Sequence, residues 1–316
     1  MKGAKTWTEE DTQRIANAIR GWLLKLTLDR GGCYLSQACS SAEILATLYT
    51  RVLNFGESLG PWEPMEFPGS PGPNNPDYPR GSIYHGPPEP DKDRFFISPA
   101  HYATGVYAAL VEIGRLSPDC IEKYNIDGWT MEMIGAEHSP GFENTAGSLA
   151  QTISVAAGTA QAYKLQNKTG RIFLLLSDGE LEEGQIWEGV QAASFYKLDN
   201  LIIYVDVNGQ QVEGYTKDIM NIEPLNERFS SFGAKTVKVN GHSIAELEAA
   251  LQTEHKGRPL VILCYTSTSA GIPSLKENEP LLHFVRISSP EQRKALQECF
   301  DRNYKHLISY TEDKRS

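Results

Sequence analysis

Two short apolar runs, 172–176 (IFLLL) and 201–207 (LIIYVDV), restrict this chain more than anything else in it. Each is leucine-rich or β-branched and ends in a polar turn, the pattern of strands buried on both faces of a parallel sheet. The stretch between them, 183–197, has helical spacing, with Ile186, Trp187, Val190 and Phe195 as the expected buried face. Strand, helix and strand make a βαβ unit. Its polar residues then lie at the carboxyl ends of both strands, the edge at which open α/β sheets bind ligands.

Those polar residues are specific in type. Asp178 follows the first run and precedes Gly179; Asn208 follows the second and precedes Gly209. They stand thirty positions apart, about the length of one βαβ unit. Neighbouring parallel strands would set the two oxygens side by side. A carboxylate, an amide oxygen and a nearby backbone carbonyl make a hard-oxygen site, which suits Mg²⁺ when phosphate oxygens and water complete its octahedron. Gly179 admits close approach of phosphate to the backbone, and the helix start that follows favours anions. Either residue alone reads more simply, Asp178 as a helix cap and Asn208-Gly209 as a turn. The pair at this spacing favours a Mg²⁺–diphosphate site.

The rest of the chain agrees with an α/β protein. Its 316 residues suit one large domain over 1–316, with two small ones as the alternative. Alternating strand and helix patterns point to a doubly wound parallel sheet with helices on both faces. A net charge of −10 argues against a nucleic-acid-binding surface. No apolar run is long enough to span a membrane, and the N-terminus MKGAKTWTEEDTQ lacks the apolar core of a signal peptide. The five cysteines, Cys33, Cys39, Cys120, Cys264 and Cys299, show no CxxC spacing. Reduced thiols in a cytoplasm are therefore expected.

The run SDGELEEG, followed by LDNLIIYVDVN, resembles the thiamine diphosphate motif, usually written GDG with an asparagine about thirty residues later. Its continuation, KLDNLIIYVDVNGQQVEGYTKDI, is similar to transketolases in particular. The resemblance extends with gaps over 15–263. It implies a thiamine diphosphate-binding fold of the diphosphate type. It also implies that Asp178, Asn208 and the backbone carbonyl of Gln210 ligate Mg²⁺ or Ca²⁺. Gly179 and Glu180 follow in the same cofactor motif.

Taken in order, the chain shows where it follows that family and where it departs. Thr8 is the expected cap of a helix over 8–28, and Ser40 or Ser41 the cap of a second. Between them the turn reads Arg30-Gly31-Gly32-Cys33-Tyr34, without the family's substrate-side histidine. Cys33 either lies near the site or is a small buried thiol. The segment 54–90 is rich in proline and glycine, which excludes a central strand or a regular helix. Its Tyr78, Arg80, Tyr84 and His85 either close over a site or belong to a surface loop. A strand over 95–97 and a helix over 103–113 follow. Between them His101 matches the family's cofactor- or substrate-contacting histidine. Gly147, Ser148 and Leu149 resemble the turn that lies against the cofactor, although Ala150 and Thr152 replace its later glycines. His138 stands near a second substrate-contacting position, which makes His101 and His138 the candidate catalytic residues. Further on, a helix over 225–232, a strand over 234–239 and a helix capped by Ser243 are expected. The loop 267–273 lacks the family's lysines, and His283 is the candidate for its later histidine, on the cofactor. The end, 290–316, reads as a charged helix or a fraying tail.

Thiamine diphosphate chemistry needs a glutamate at the aminopyrimidine, which transketolases carry on a second, pyrimidine-binding domain. The sequence stops at 316, before such a domain. The resemblance therefore implies the N-terminal subunit of a split transketolase, transferring a two-carbon ketol unit from a ketose or ketose phosphate to an aldose. The partner subunit would supply the glutamate. Glutamates placed like Glu183 and Glu188 lie in the family where two diphosphate domains meet, which implies self-association about a two-fold axis and a heterotetramer. The alternatives are another thiamine diphosphate reaction, such as 2-oxo acid decarboxylation or a deoxyxylulose-phosphate-synthase-like condensation, and a non-catalytic scaffold or regulatory subunit.

Overall fold

The computed structural model describes residues 6–308. At its centre is a five-stranded sheet of β1 (Arg94–Ile97), β2 (Ile172–Ser177), β3 (Leu201–Val207), β4 (Lys235–Asn240) and β5 (Leu260–Tyr265). The spatial order is β1-β2-β3-β5-β4, and every pairing is parallel. β2, β3 and β5 lie inside the sheet and are apolar almost throughout, because both of their faces are covered.

Successive side chains of a strand point to opposite faces. Phe173 and Leu175 of β2, with Ile202 and Tyr204 of β3, enter one apolar core. It is shared with the helices α1 (Glu9–Arg30), α2 (Leu35–Thr47) and α3 (Ala103–Glu112). Leu174 and Leu176, with Ile203 and Val205, enter a second core. That one is covered by α4 (Thr152–Leu165), α5 (Gly184–Phe195) and α6 (Leu225–Ser231). The expected doubly wound sheet with helices on both faces is what the chain forms.

Several local expectations hold. Thr8 caps α1 in a reciprocal capping box with Asp11, and Ser243 caps α7 (Ile244–Ala249). Others are corrected. α2 begins at Leu35, so Ser40 and Ser41 lie inside it. Nothing after Tyr34 breaks the helix, and Ser41 Oγ donates back to the Gln37 carbonyl. α5 starts at Gly184, after a 3-10 turn over Gly179–Glu182. Ile186 and Val190 are buried as expected, but Phe195 is 76% exposed. Five residues beyond Val190 is about 140° round the helix, which turns Phe195 away from the core. Of the two readings of the end, the charged helix holds over 290–303: these residues form α8 (Pro290–Asn303), which buries Leu296 and Phe300 beside α1. The last part of the expected tail, 309–316, lies outside the described residues.

The segment 54–90 has no regular structure beyond a 3-10 turn, Gly81–His85, as its prolines require. It is nevertheless fastened at several points. Tyr84 is buried, and the Tyr84 and Gly56 carbonyls accept from Arg115. His85 stacks on Phe55 at 4.2 Å and lies within hydrogen-bond reach of Tyr49 and Glu143. Tyr84 and His85 therefore anchor the segment in the core and do not close over the sheet edge.

A buried ion pair joins the first two helices. Both terminal nitrogens of Arg20 donate to Glu43, each at 2.6 Å. His242 accepts the Ser267 N–H on Nε2, so its Nδ1 carries the proton and donates to Glu43 at 2.9 Å. Burial pushes the Glu43 carboxyl up, but the bonds from His242 and Arg20 outweigh it and hold the group down at about 2, against an ordinary 4.5. A carboxyl lowered by folding stabilises the fold above its unfolded value and loses that contribution as pH falls. Stability from this group should therefore drop between pH 4.5 and about 2. In acid unfolding curves Glu43→Gln should flatten that slope. Glu43→Ala, which leaves Arg20 buried without its carboxylate, should cost about 3–5 kcal/mol in denaturant unfolding at neutral pH.

Candidate cofactor site at the sheet edge

In-register pairing of β2 with β3 sets Ser177 opposite Asp206. The chain then leaves both strands at one edge, with Asp178 on the first turn and Asn208 on the second. Asp178 is buried; its two carboxylate oxygens accept the Gly179 N–H at 3.0 Å and the Gly209 N–H at 2.6 Å. Gly209 adopts φ 76°, the left-handed region that favours glycine. The Asn208 amide oxygen accepts the Gln210 N–H at 3.0 Å, and its nitrogen donates to Asp206 at 3.3 Å. A Cβ on Gly179 would stand 3.9 Å from the Gln210 carbonyl oxygen and only 3.0 Å from Gln211 Cβ. The expected trio is therefore gathered in one place.

Electrostatics at this edge favour a cation. Burial, reinforced by the neighbouring Asp206 carboxylate, pushes the Asp178 carboxyl well above the usual range. Burial likewise raises Asp206, against the hydrogen bonds it accepts. A cavity of about 180 Å³ opens at the same edge, lined by Gly179, Asn208 and Gln210 and by neither of these two carboxylates. Among the described residues no lysine or arginine lines it. A buried carboxylate without a cationic partner is costly, and a divalent ion at this edge would relieve Asp178. Among the described residues there is no group of three or more His, Cys, Asp and Glu side chains that could hold a metal. The donors here are one carboxylate, one amide oxygen and one carbonyl, which leaves coordination positions open to phosphate oxygens and water. The residues present therefore fit a Mg²⁺–diphosphate group.

Glu180 lies beneath this edge and has a supporting part. One oxygen accepts the Ser177 N–H at 2.8 Å; the other accepts the Ala150 N–H at 3.3 Å and the Ser98 hydroxyl. Burial pushes its carboxyl up to about 7. Ala150 sits at φ 66°, where an L side chain is strained, so Glu180 holds the turn over 147–150 in an unfavourable backbone state. In that turn Leu149 lines the cavity, while Gly147 and Ser148 are exposed just outside it.

Across the cavity stand His101 and His283, with ring centroids 4.8 Å apart. His101 belongs to the 3-10 turn Ala100–Tyr102 that follows β1. Burial first, and His283 second, pull its imidazole down to about 3; burial also lowers His283. Both rings are neutral near pH 7 and can donate or accept one hydrogen bond each. Tyr34 packs against both, at 5.2 and 5.4 Å. Ser36 and Gln37 of α2 fix the segment by donating to the Leu282 and His283 carbonyls. Thus the turn without a histidine contributes an aromatic ring. Cys33 beside it is buried, with its thiol raised to about 11, and is a packing residue.

Not every expected residue reaches the cavity. His138 is outside it: Tyr78 Oη lies 2.7 Å from its Nδ1, Glu132 Oε1 lies 2.9 Å from Nε2, and Phe67 is edge-on to its ring. Its segment does abut the His101 turn, through the Gly135 N–H and the Ala100 carbonyl. Glu183 and Glu182 line the cavity. Glu188 faces outward on α5, in a shallow groove between α4 and α5 lined by Ala157, Gly158 and Ala192. Sequence reasoning missed Tyr34, Gln37, Tyr102 and Asp206. Asp206 had a signal: it is an acidic residue inside a strand that is otherwise apolar.

Residues 83–299 match the family described as transketolase, thiamine diphosphate binding domain. The chain is 33% identical over 285 residues to a transketolase family protein of Sinorhizobium fredii, covering 89% of this chain and 92% of that one. It is 31% identical to an apulose-4-phosphate transketolase subunit of Actinobacillus succinogenes, over 92% of this chain and 97% of the relative. It is 29% identical to a 6-deoxy-6-sulfo-D-fructose transketolase subunit of Clostridium, over 91% and 96%. Among solved structures, the transketolase of Campylobacter jejuni superposes with a TM-score of 0.77 at 22% identity. That match covers 98% of this chain but only 46% of that one, so the chain spans about half the length of a transketolase of this kind. On the family match and on these relatives, the chain belongs to the transketolase family and carries its thiamine diphosphate-binding domain.

Proposed function

We propose that this protein is the N-terminal, diphosphate-type subunit of a two-component transketolase dependent on thiamine diphosphate and Mg²⁺. It would transfer a two-carbon ketol unit from a ketose or ketose phosphate to an aldose. This reading is carried by the pairing of Asp178 with Asn208 at adjacent strand ends, beside a cavity that, among the described residues, no lysine or arginine lines. Asp178, Asn208 and the Gln210 carbonyl would hold Mg²⁺ or Ca²⁺. Backbone at Gly179, Gly147 and Ser148 would lie against the cofactor, with Leu149 as apolar wall and Glu180 holding the turn. His101 and His283, both neutral, would donate hydrogen bonds to the diphosphate or the sugar. His138, in the adjoining segment, is the candidate for a second contact to the sugar. When bound, thiamine diphosphate supplies the carbanion-stabilising chemistry, and the protein binds, orients and excludes water.

Lengths support a partner. The chain matches nearly all of a relative whose name marks it as one component of a transketolase, and about half the length of a solved transketolase. We read 1–316 as one domain whose partner brings the pyrimidine-side glutamate. The small-residue groove beside Glu188 supports close approach of a second copy, with Glu183 and Glu188 at the contact, giving a heterotetramer. Five cysteines held as free thiols suit a cytoplasmic, reducing compartment.

Asp178→Ala should weaken Mg²⁺-dependent thiamine diphosphate binding by at least about a hundredfold, as for a lost ligand rather than a lost supporting contact. Calorimetry on the assembled complex checks this, and an unchanged affinity would remove Asp178 from the metal site. The purified chain alone should show no ketol transfer and gain it when the partner is added; full turnover without partner would refute the split. Gly158 has no atom within 4 Å of where its Cβ would lie. Gly158→Trp should therefore leave the fold intact yet block the groove, and the mass of the assembly in sedimentation should fall by half.

A further inference from the structure

Asp206 is fully buried between Val205 and Val207, on an apolar strand. Such a position is ordinarily filled by an aliphatic side chain, and burying a carboxylate there is costly. No ion pair offsets that cost, since none of its four partners is charged. One oxygen accepts from Ser40 Oγ at 2.6 Å, Tyr102 Oη at 2.7 Å and Asn208 Nδ2 at 3.3 Å; the other accepts from the Thr266 hydroxyl. These donors come from α2, from the turn that carries His101, from the Asn208 turn and from the residue after β5.

The bond to Asn208 has a consequence that the other three lack. A side-chain amide has an oxygen at one end and an NH₂ at the other, and only its hydrogen-bond partners decide which way it faces. An ionised carboxylate accepts and never donates. Asp206 on one side and the Gln210 N–H on the other act together: the Asn208 nitrogen faces inward and its oxygen outward, toward Gln210 and the cavity. Reversed, the same side chain would present N–H groups to a cation.

We propose that Asp206 is a positioning residue: it fixes the amide orientation of Asn208 and thereby sets the divalent-cation dependence of thiamine diphosphate binding. The inference rests on the Mg²⁺ site proposed above. Residues that orient metal ligands in this way typically change metal affinity by about 10–100-fold when substituted.

The test is calorimetric titration of Mg²⁺, at fixed thiamine diphosphate, into the full chain assembled with its partner, with thermal unfolding recorded for each variant. Asp206→Asn keeps the shape but places an amide where only an acceptor served. It should raise the Mg²⁺ concentration for half-saturation by at least about tenfold. Ser40→Ala removes one donor to Asp206 from outside the cavity lining and leaves the Asn208 bond in place, so it should stay within about threefold of wild type. The double variant Asp206→Asn, Asn208→Asp restores a donor facing an acceptor, keeps the net charge and returns an oxygen to the cavity. It should recover most of the lost affinity, whereas Asn208→Asp alone, which sets two acceptors face to face, should not, so that recovery reports the restored pairing and not an added carboxylate. An Asp206→Asn chain that binds within threefold of wild type overturns the inference. So does a folded double variant that binds no better than Asp206→Asn. If Asp206→Asn does not fold, the double variant decides: affinity near wild type supports the inference, and a loss beyond tenfold overturns it. If wild type binds thiamine diphosphate equally well without any divalent ion, the Mg²⁺ reading itself fails and takes the inference with it.

Discussion

The parallel hydrogen bonding between β2 and β3 is the constraint on which the site depends. Its register places Ser177 beside Asp206, so the chain must leave both strands together and deliver Asp178 and Asn208 to one edge. A slip of one residue would send every side chain of β2 to the other face and separate the two oxygens. That register is held by the two cores. Leu174 and Leu176 belong on one side and Phe173 and Leu175 on the other, and neither set is tolerated in the other's place. The geometry of the polar edge is thus maintained by apolar packing beneath it.

Much of this is legible in the sequence because it is written locally. The two apolar runs, the thirty-residue spacing and the turn glycines each follow from short-range rules, and the strands fall where those rules place them. What escapes is written between distant segments. Tyr34 meets His101 and His283 only after the two-residue strands Gly32–Cys33 and Val285–Arg286 pair antiparallel. Ser40 reads as a helix cap, yet the fold sets it against Asp206, 166 residues away. Phe195 reads as inward because large apolar residues usually are, but helical geometry and its place at the end of α5 turn it outward.

The proline-rich segment shows how far composition alone can reach. Its residues exclude regular structure, and none forms beyond one 3-10 turn. Composition does not reveal that Tyr84 and His85 reach into the core, nor that Arg115 clamps two of the segment's carbonyls. An irregular chain is held here in part by buried aromatic rings and by the Arg115 guanidinium.

The absence of lysine and arginine from the cavity lining, among the described residues, bears on how the proposed complex would assemble. His101 and His283 are neutral, so this half of the site offers a diphosphate no fixed positive charge. On the proposed reading, the cofactor's charge is balanced by the metal and by groups that the partner contributes. A ligand that needs both halves binds the assembled state in preference to the separated one, and by mass action it must tighten the assembly it occupies. Cofactor supply then becomes a control on quaternary structure: a cell poor in thiamine diphosphate would hold this chain and its partner more loosely together than one that is replete.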